Sequence, residues 1–180
     1  MKSWTISRGR KERDGFPLET KLANRKFQKG LQGEMHVTQK LAELGFKILF
    51  VGGCQKYSMD GNSFYCVDLL PFGKGEVFWV QVKNKEPRKF YPDTGLELWR
   101  YKNLIQHQKE SGKPVLLLFT DSSKKIYGEW VSNLQGCVSP HGGRYNSKDK
   151  TEMIYFLVKK MRSCEDLLAP YEIFYGMNET

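Results

Sequence analysis

The patterning of this 180-residue chain implies an α/β domain, a mixed sheet with helices on its faces. Three observations carry that reading. Apolar residues from Leu31 onward recur at helical spacing, and a second helical stretch spans residues 96–111. Apolar runs of strand length, residues 47–51 and 115–119 foremost, alternate with them. Glycine and proline punctuate the joins. The resulting order is helix, three strands, helix, strand, with further strands behind.

Residues 1–30 read as an irregular basic arm, broken by Gly15 and Pro17, ahead of a single domain over 31–180. In the first helix Leu31, Met35, Thr38, Leu41 and Ala42 fall at three- and four-residue steps, and Gly45 is a natural C-terminal stop. Residues 47–51 form a short buried strand closed by Gly52-Gly53. After a turn-rich stretch at 59–63 comes a hairpin, with arms 64–70 and 76–83 and its turn at Phe72-Gly73-Lys74-Gly75. The second helix, about 96–111, ends at Gly112-Lys113-Pro114 and leads into the central strand 115–119. Residues 127–131 and 153–158 are expected as strands, with loop around Pro140–Gly143; the segment from Cys164 is open between types.

With 39% hydrophobic and 27% charged residues, the composition is that of a soluble globular domain. No apolar run approaches a bilayer span, and no apolar stretch follows Met1-Lys2-Ser3-Trp4, so a cytoplasmic protein with no membrane partner is expected. Cys54, Cys66, Cys137 and Cys164 are scattered without a Cys-x-x-Cys pair, which favours buried or idle thiols over a zinc site. Gly73-Lys74-Gly75 is a turn and not a phosphate loop. His36, His107 and His141 lack metal-ligand spacing, and no nucleophilic triad has a signature. The net charge is +9, and residues 1–30 hold nine basic residues, among them Arg8, Arg10 and Lys11, against three acidic ones. Such an arm suits a polyanion through counterion release, and interleaved Trp4, Phe16 and Phe27 suit nucleic acid. A solvated tail explains the charge equally well.

The hairpin carries the chemistry. With Lys74-Gly75 as its two-residue loop, Asp68 falls opposite Gln81 and Cys66 opposite Lys83. Side chains alternate along a strand, so Asp68, Gln81 and Lys83 share a face, while Val67, Leu69, Val80 and Val82 point into a core. A one-residue slip in the turn would break this opposition. Charged groups on strands this apolar are costly unless paired or ligated. A hard divalent cation, Mg²⁺ with Mn²⁺ as the alternative, suits the carboxylate of Asp68, the amide oxygen of Gln81 and the backbone carbonyl of Val82. Lys83 would then orient the attacking water or offset charge on phosphorus. An Asp68–Lys83 ion pair on a half-exposed strand accounts for the spacing as well.

Asp68, a hairpin, and then Gln81-Val82-Lys83 resembles the core of the PD-(D/E)xK nuclease superfamily. Glu34, in Gly33-Glu34-Met35-His36 on the first helix, extends the match to the archaeal Holliday-junction-resolvase and Mrr types, in which a glutamate there reaches the metal. The resemblance covers about residues 31–119 and implies a restriction-endonuclease-like αβββαβ core. Gln81 stands where most members have glutamate, as in the Gln-x-Lys of Mrr-type enzymes, and Val67 replaces the proline. Losing one negative charge should weaken metal binding and make Glu34 more important to it.

What the resemblance implies is an Mg²⁺-dependent endonuclease acting on DNA, catalysed by Glu34, Asp68, Gln81 and Lys83, as a homodimer whose two sites address two strands. Lys85, Arg88 and Lys89 follow the catalytic strand, and Arg100 and Lys102 lie on the second helix, where related nucleases line the substrate groove. Tyr101 is read as a core residue of that helix. The Gln81 replacement keeps a second reading in play: an inert DNA-binding or partner-binding module that retains the fold.

Overall fold

A computed structural model describes residues 25–51, 58–59, 62–63, 67–139 and 152–170. Helix α1, Arg25–Glu43, begins earlier than its apolar spacing indicates. Arg25, Gln28 and Lys29 are good helix formers with exposed side chains, so the end of the expected basic arm is helical. Gly45 takes a left-handed φ of 85° and stops the helix, as expected. Strand β1, Lys47–Phe50, follows at the edge of its sheet, and its exposed Leu49 and Phe50 correct the buried strand expected there; Ser58–Met59 (β2) and Asn62–Ser63 (β3) form a separate small ladder.

The hairpin consists of β4 (Leu69–Gly73), β5 (Glu76–Val77) and β6 (Trp79–Asn84). Lys74 and Gly75 both adopt positive φ, 52° and 73°, the geometry of a two-residue turn whose twist matches the strands. Gly73 pairs with Glu76, Phe72 with Val77 and Leu69 with Val80, the register expected from the sequence. The expected first arm began at residue 64; residues 64–66 lie outside the described residues, and Val67 and Asp68 precede the strand.

An unexpected strand, β7 (Asp93–Glu97), precedes helix α2 (Leu98–Ser111), taking residues the periodicity had assigned to the helix start. Its buried Thr94-Gly95 pair against β11, and tertiary pairing overrides the helical pattern there. Gly112 caps α2 at φ 63°. Then come β8 (Val115–Thr120), β9 (Ile126–Trp130), a 3-10 turn at Val131–Asn133, β10 (Cys137–Ser139) and β11 (Met153–Leu157). A 3-10 turn at Val158–Lys160, β12 (Arg162–Ser163) and α3 (Cys164–Leu168) end the described chain. Ser163 caps α3 by accepting from the Asp166 N–H.

The main sheet runs β1-β4-β6-β8-β9-β12, with β5 paired to β4. Strands β6 and β8 are parallel, joined through α2, and their neighbours are antiparallel, so the sheet is mixed. All six residues of β8 are buried, as befits a strand covered on both faces. One face packs Leu69, Val80, Val82, Leu116 and Leu118 under Val37 and Leu41 of α1. The other packs Val115, Leu117 and Phe119 with Leu104 of α2 and Ile154 and Phe156 of β11. Each fully buried side chain of this kind contributes about 1.5–3 kcal/mol. Strands β10, β11 and β7 form a second sheet over that face.

Candidate active site

Asp68 lies where β4 leaves β6. Its N–H donates to the Val80 carbonyl (2.9 Å), one residue short of the ladder register, and its carbonyl accepts from the Val51 N–H (3.1 Å). The chain bends at this point. Val67 consequently falls into the α2-side core with Leu117 and Phe119, a correction to the shared face expected for Val67, Leu69, Val80 and Val82. The bend also turns the Asp68 carboxylate onto β6. Its Oδ2 accepts the Val82 N–H (2.7 Å) and a short hydrogen bond from the Gln81 amide. The same Gln81 nitrogen donates to the Val82 carbonyl (3.2 Å). Asp68 and Gln81 are each only 5% exposed.

Glu34 and Lys83 complete the group. Glu34 approaches from α1, and Gly33 makes that approach feasible. A Cβ at Gly33 would stand 2.7 Å from the Asn84 Cβ and 3.1 Å from the Thr120 Cγ2, so only glycine lets the helix sit this close to the ends of β6 and β8. Asn84 fixes the contact by donating its amide to the Lys29 carbonyl (2.8 Å). Burial pushes the Glu34 carboxyl up to about 7, aided by the negative charge of Asp68 and opposed by Lys83. Burial likewise raises Asp68 above the usual carboxylate range, against the lowering pull of Lys83, the Val82 N–H, Arg100 and the Gln81 amide. Each carboxylate is thus held at an electrostatic cost that the nearby lysine does not cancel.

The donor set fits a hard cation. Among the described residues no three His, Cys, Asp or Glu cluster as metal ligands. The Asp68 carboxylate and the Val82 carbonyl meet at the Gln81 amide, Glu34 lies near enough to feel the Asp68 charge, and all-oxygen donors are what Mg²⁺ selects. The Gln81 N–H group donates to the Asp68 carboxylate and the Val82 carbonyl, two of the groups that would hold a cation. Rotating that amide by half a turn replaces the donor with an oxygen, an arrangement that is repulsive alone and favourable around a cation.

The remaining sequence-predicted residues are placed variously. Lys85 donates to the Gly95 carbonyl (2.9 Å), and burial pushes its pKa down. Arg88 makes a two-pronged ion pair with Asp93 (2.6 and 2.5 Å) and lies over the rings of Tyr91 and Tyr155, so its guanidinium is engaged within the protein. Lys89 and Lys102 are exposed. Arg100 pairs with Glu97 (3.1 Å), and its charge acts on Asp68. Arg8, Arg10 and Lys11 lie outside the described residues. Tyr101 packs on Phe156 and donates to the Leu134 carbonyl (3.1 Å), the core role expected of it. His36 bonds the Lys124 carbonyl (2.8 Å). Gly33 and Asn84 have little signature in the sequence beyond a small residue beside a candidate ligand, because the contact that gives them a role joins segments some fifty residues apart.

No family model matches this chain, and no curated protein sequence does. Among solved structures, the 1.6 Å structure of Hjc, a Holliday junction resolvase from the archaeal hyperthermophile Archaeoglobus fulgidus, is similar at a TM-score of 0.55 and 13% identity. That match covers 78% of this chain and 96% of Hjc. D212, a nuclease from a fusselovirus, matches at a TM-score of 0.42 and 10% identity over 89% and 96% of the two chains, too loosely to argue from. The likeness to Hjc is one of fold: the chain has the restriction-endonuclease-like α/β architecture, with a mixed central sheet and flanking helices.

Proposed function

We propose that this protein is an Mg²⁺-dependent DNA endonuclease, with Mn²⁺ as an alternative metal, and that it acts as a homodimer. One observation carries the reading: the Asp68 carboxylate and the Val82 carbonyl meet at the buried Gln81 amide, within electrostatic reach of Glu34 and Lys83. The fold shared with a Holliday junction resolvase supports DNA as the substrate class. Asp68 and Glu34 would hold the metal through their carboxylates, with the Val82 carbonyl and the rotated Gln81 amide as neutral ligands. A bound Mg²⁺ supplies Lewis acidity and eases deprotonation of water near pH 7.

The chain's own groups account for the rest. Lys83 offers N–H donors to a non-bridging phosphate oxygen and offsets the charge that gathers there as the nucleophile attacks. Its place on a rigid central strand holds that donor still while the phosphate passes through in-line geometry. The Val82 N–H fixes Asp68 by a 2.7 Å hydrogen bond, so the carboxylate is oriented before substrate arrives. Exposed Lys89 and Lys102, with the basic residues of the N-terminal arm, would supply sequence-independent phosphate contacts.

A second reading has its own support. The Gln81 amide satisfies Asp68 and Val82 without any cation, as an inert DNA-binding or partner-binding module would need. One experiment separates the two. Supercoiled plasmid, single-stranded DNA and a four-way junction are each incubated with the protein in Mg²⁺, Mn²⁺ or EDTA, beside Asp68→Ala and Lys83→Ala. The nuclease reading expects metal-dependent cutting that both substitutions abolish. Binding without cutting on all three substrates favours the inert module, and cutting that survives both substitutions places the site elsewhere.

A further inference from the structure

The chain that leaves β6 just beyond Lys83 is built as a rigid tip. The Arg88 N–H donates to the Asp93 carbonyl (2.8 Å), and the Asp93 N–H to the Tyr91 carbonyl (2.7 Å). The two-pronged Arg88–Asp93 ion pair closes the same loop, and the guanidinium lies over the rings of Tyr91 (4.4 Å) and Tyr155 (3.8 Å). Pro87 and Pro92 stiffen its two ends, and the Pro92 carbonyl accepts from the Val158 N–H (3.0 Å). This scaffold holds Phe90 84% exposed and Tyr91 59% exposed, with the Lys89 ammonium 5.5 Å from the Phe90 ring centre.

An isolated exposed aromatic needs no explanation. An aromatic held out by a closed loop, flanked by a lysine and seven residues from the proposed catalytic lysine, does. At full extension seven residues span at most about 25 Å, which is the outer limit of the tip's distance from Lys83. We infer that the Lys89–Phe90–Tyr91 tip is a base-stacking platform, which directs the proposed nuclease to DNA carrying unpaired bases near the cleavage point. The inference rests on the nuclease reading and deepens it by naming the substrate feature. A paired base in a duplex keeps its faces covered by its neighbours. An unpaired base offers a free π-face, and Phe90 offers a matching ring, while Lys89 neutralises the adjoining phosphate. Arg88 is the positioning residue of the platform, committed to Asp93 so that the ring stays presented.

The test uses the full chain in EDTA, so that binding is read without cutting. Affinities are measured for a 20-nucleotide single strand, its blunt duplex, and the duplex with a single-stranded overhang carrying 2-aminopurine, using wild type, Phe90→Ala and Phe90→Trp. Loss of one base–aromatic stack weakens binding by roughly 5- to 150-fold. Phe90→Ala should lose affinity in that range for the single strand and the overhang, and less than about twofold for the blunt duplex. Phe90→Trp should restore the affinity and quench the 2-aminopurine. Equal losses on duplex and single strand overturn the platform, as does failure of Phe90→Trp to rescue. So does sedimentation showing that Phe90→Ala breaks a self-associated species with DNA affinity unchanged, which would make the tip a contact between copies. Wild type that binds none of the three DNAs overturns the nuclease reading along with this one, whereas tight binding indifferent to Phe90 overturns this inference alone.

Discussion

Replacing Asp68 with asparagine should stabilise the protein without metal and destabilise it relative to wild type with metal. The metal-free site places both hydrogen bonds, from the Val82 N–H and the Gln81 amide, on the single oxygen Oδ2. An asparagine carbonyl oxygen can accept both, and its NH₂ takes the place of Oδ1. What changes is charge. Burial holds the Asp68 pKa above the ordinary carboxylate value of 3.8, so the folded state binds the proton more tightly than the unfolded state. Stability therefore falls as pH rises through that window, and the full cost stands above the folded pKa. The neutral isostere removes it. Relieving a functional strain of this type is worth about 0.5–2 kcal/mol, or about 1–8 °C in Tm for a chain of this size. Asp68→Ala, by contrast, leaves two buried donors without their acceptor, at about 1–3 kcal/mol each. Mg²⁺ at a hundredfold excess over its Kd adds about 2.7 kcal/mol to wild type, and nothing comparable to Asp68→Asn. Thermal melts of the three proteins at pH 8, in EDTA and in Mg²⁺, read all of this. Asp68→Asn melting below wild type in EDTA would refute the electrostatic argument. An equal Mg²⁺ gain in both proteins would refute the placement of the metal.

Three other outcomes are expected. Metal affinity should climb steeply as pH rises through about 7, where the metal-free Glu34 carboxyl loses its proton; calorimetry in buffers of different ionisation enthalpy should show proton release near pH 6.5, and a pH-independent affinity would remove Glu34 from the site. Gly33→Val should push α1 off Asn84 and Thr120, costing about 1–3 kcal/mol as overpacking does, and should depress cleavage more than Gly30→Ala, since a Cβ at Gly30 meets nothing within 4 Å; equal effects at the two glycines would deny the close approach its role. The buried Glu129 carboxylate is held below its ordinary pKa, its burial outweighed by Arg162 (2.7 and 2.9 Å) and the Trp130 N–H. Its stabilisation is complete above the ordinary value of 4.5 and fades as pH falls through the depressed value. Arg162→Met should therefore flatten the acid limb of a stability-against-pH curve, and an unchanged limb would count against the pair.

Local chemistry was enough to set the elements and the hairpin register. The run Val115–Phe119 is apolar at every position and bounded by Pro114, which suits an interior strand; Lys74-Gly75 suits a turn with two left-handed residues, and that turn sets the register as far as Leu69 opposite Val80. Asp68, Gln81 and Lys83 stand out as candidates because charged and amide groups on apolar strands need a reason to be there, and Glu34 stands out only through the family resemblance. Other features depend on partners distant in the chain. Asp93–Glu97 is a strand because β11, some sixty residues later, supplies its hydrogen bonds, and at Leu96 and Glu97 that pairing overrides a local pattern that reads as helix. The bend at Asp68, which sends Val67 to the opposite core and swings the carboxylate onto the Val82 N–H, arises where β4 parts from β6 and has no signature in the neighbouring residues. Arg88 read as a phosphate contact because its sequence neighbours are basic, and only Asp93 and Tyr155 in space reveal that it holds a loop together. Hydrophobic period and turn chemistry act over a few residues and are written locally; hydrogen-bond partners and electrostatic fields belong to whichever segments the completed fold brings alongside.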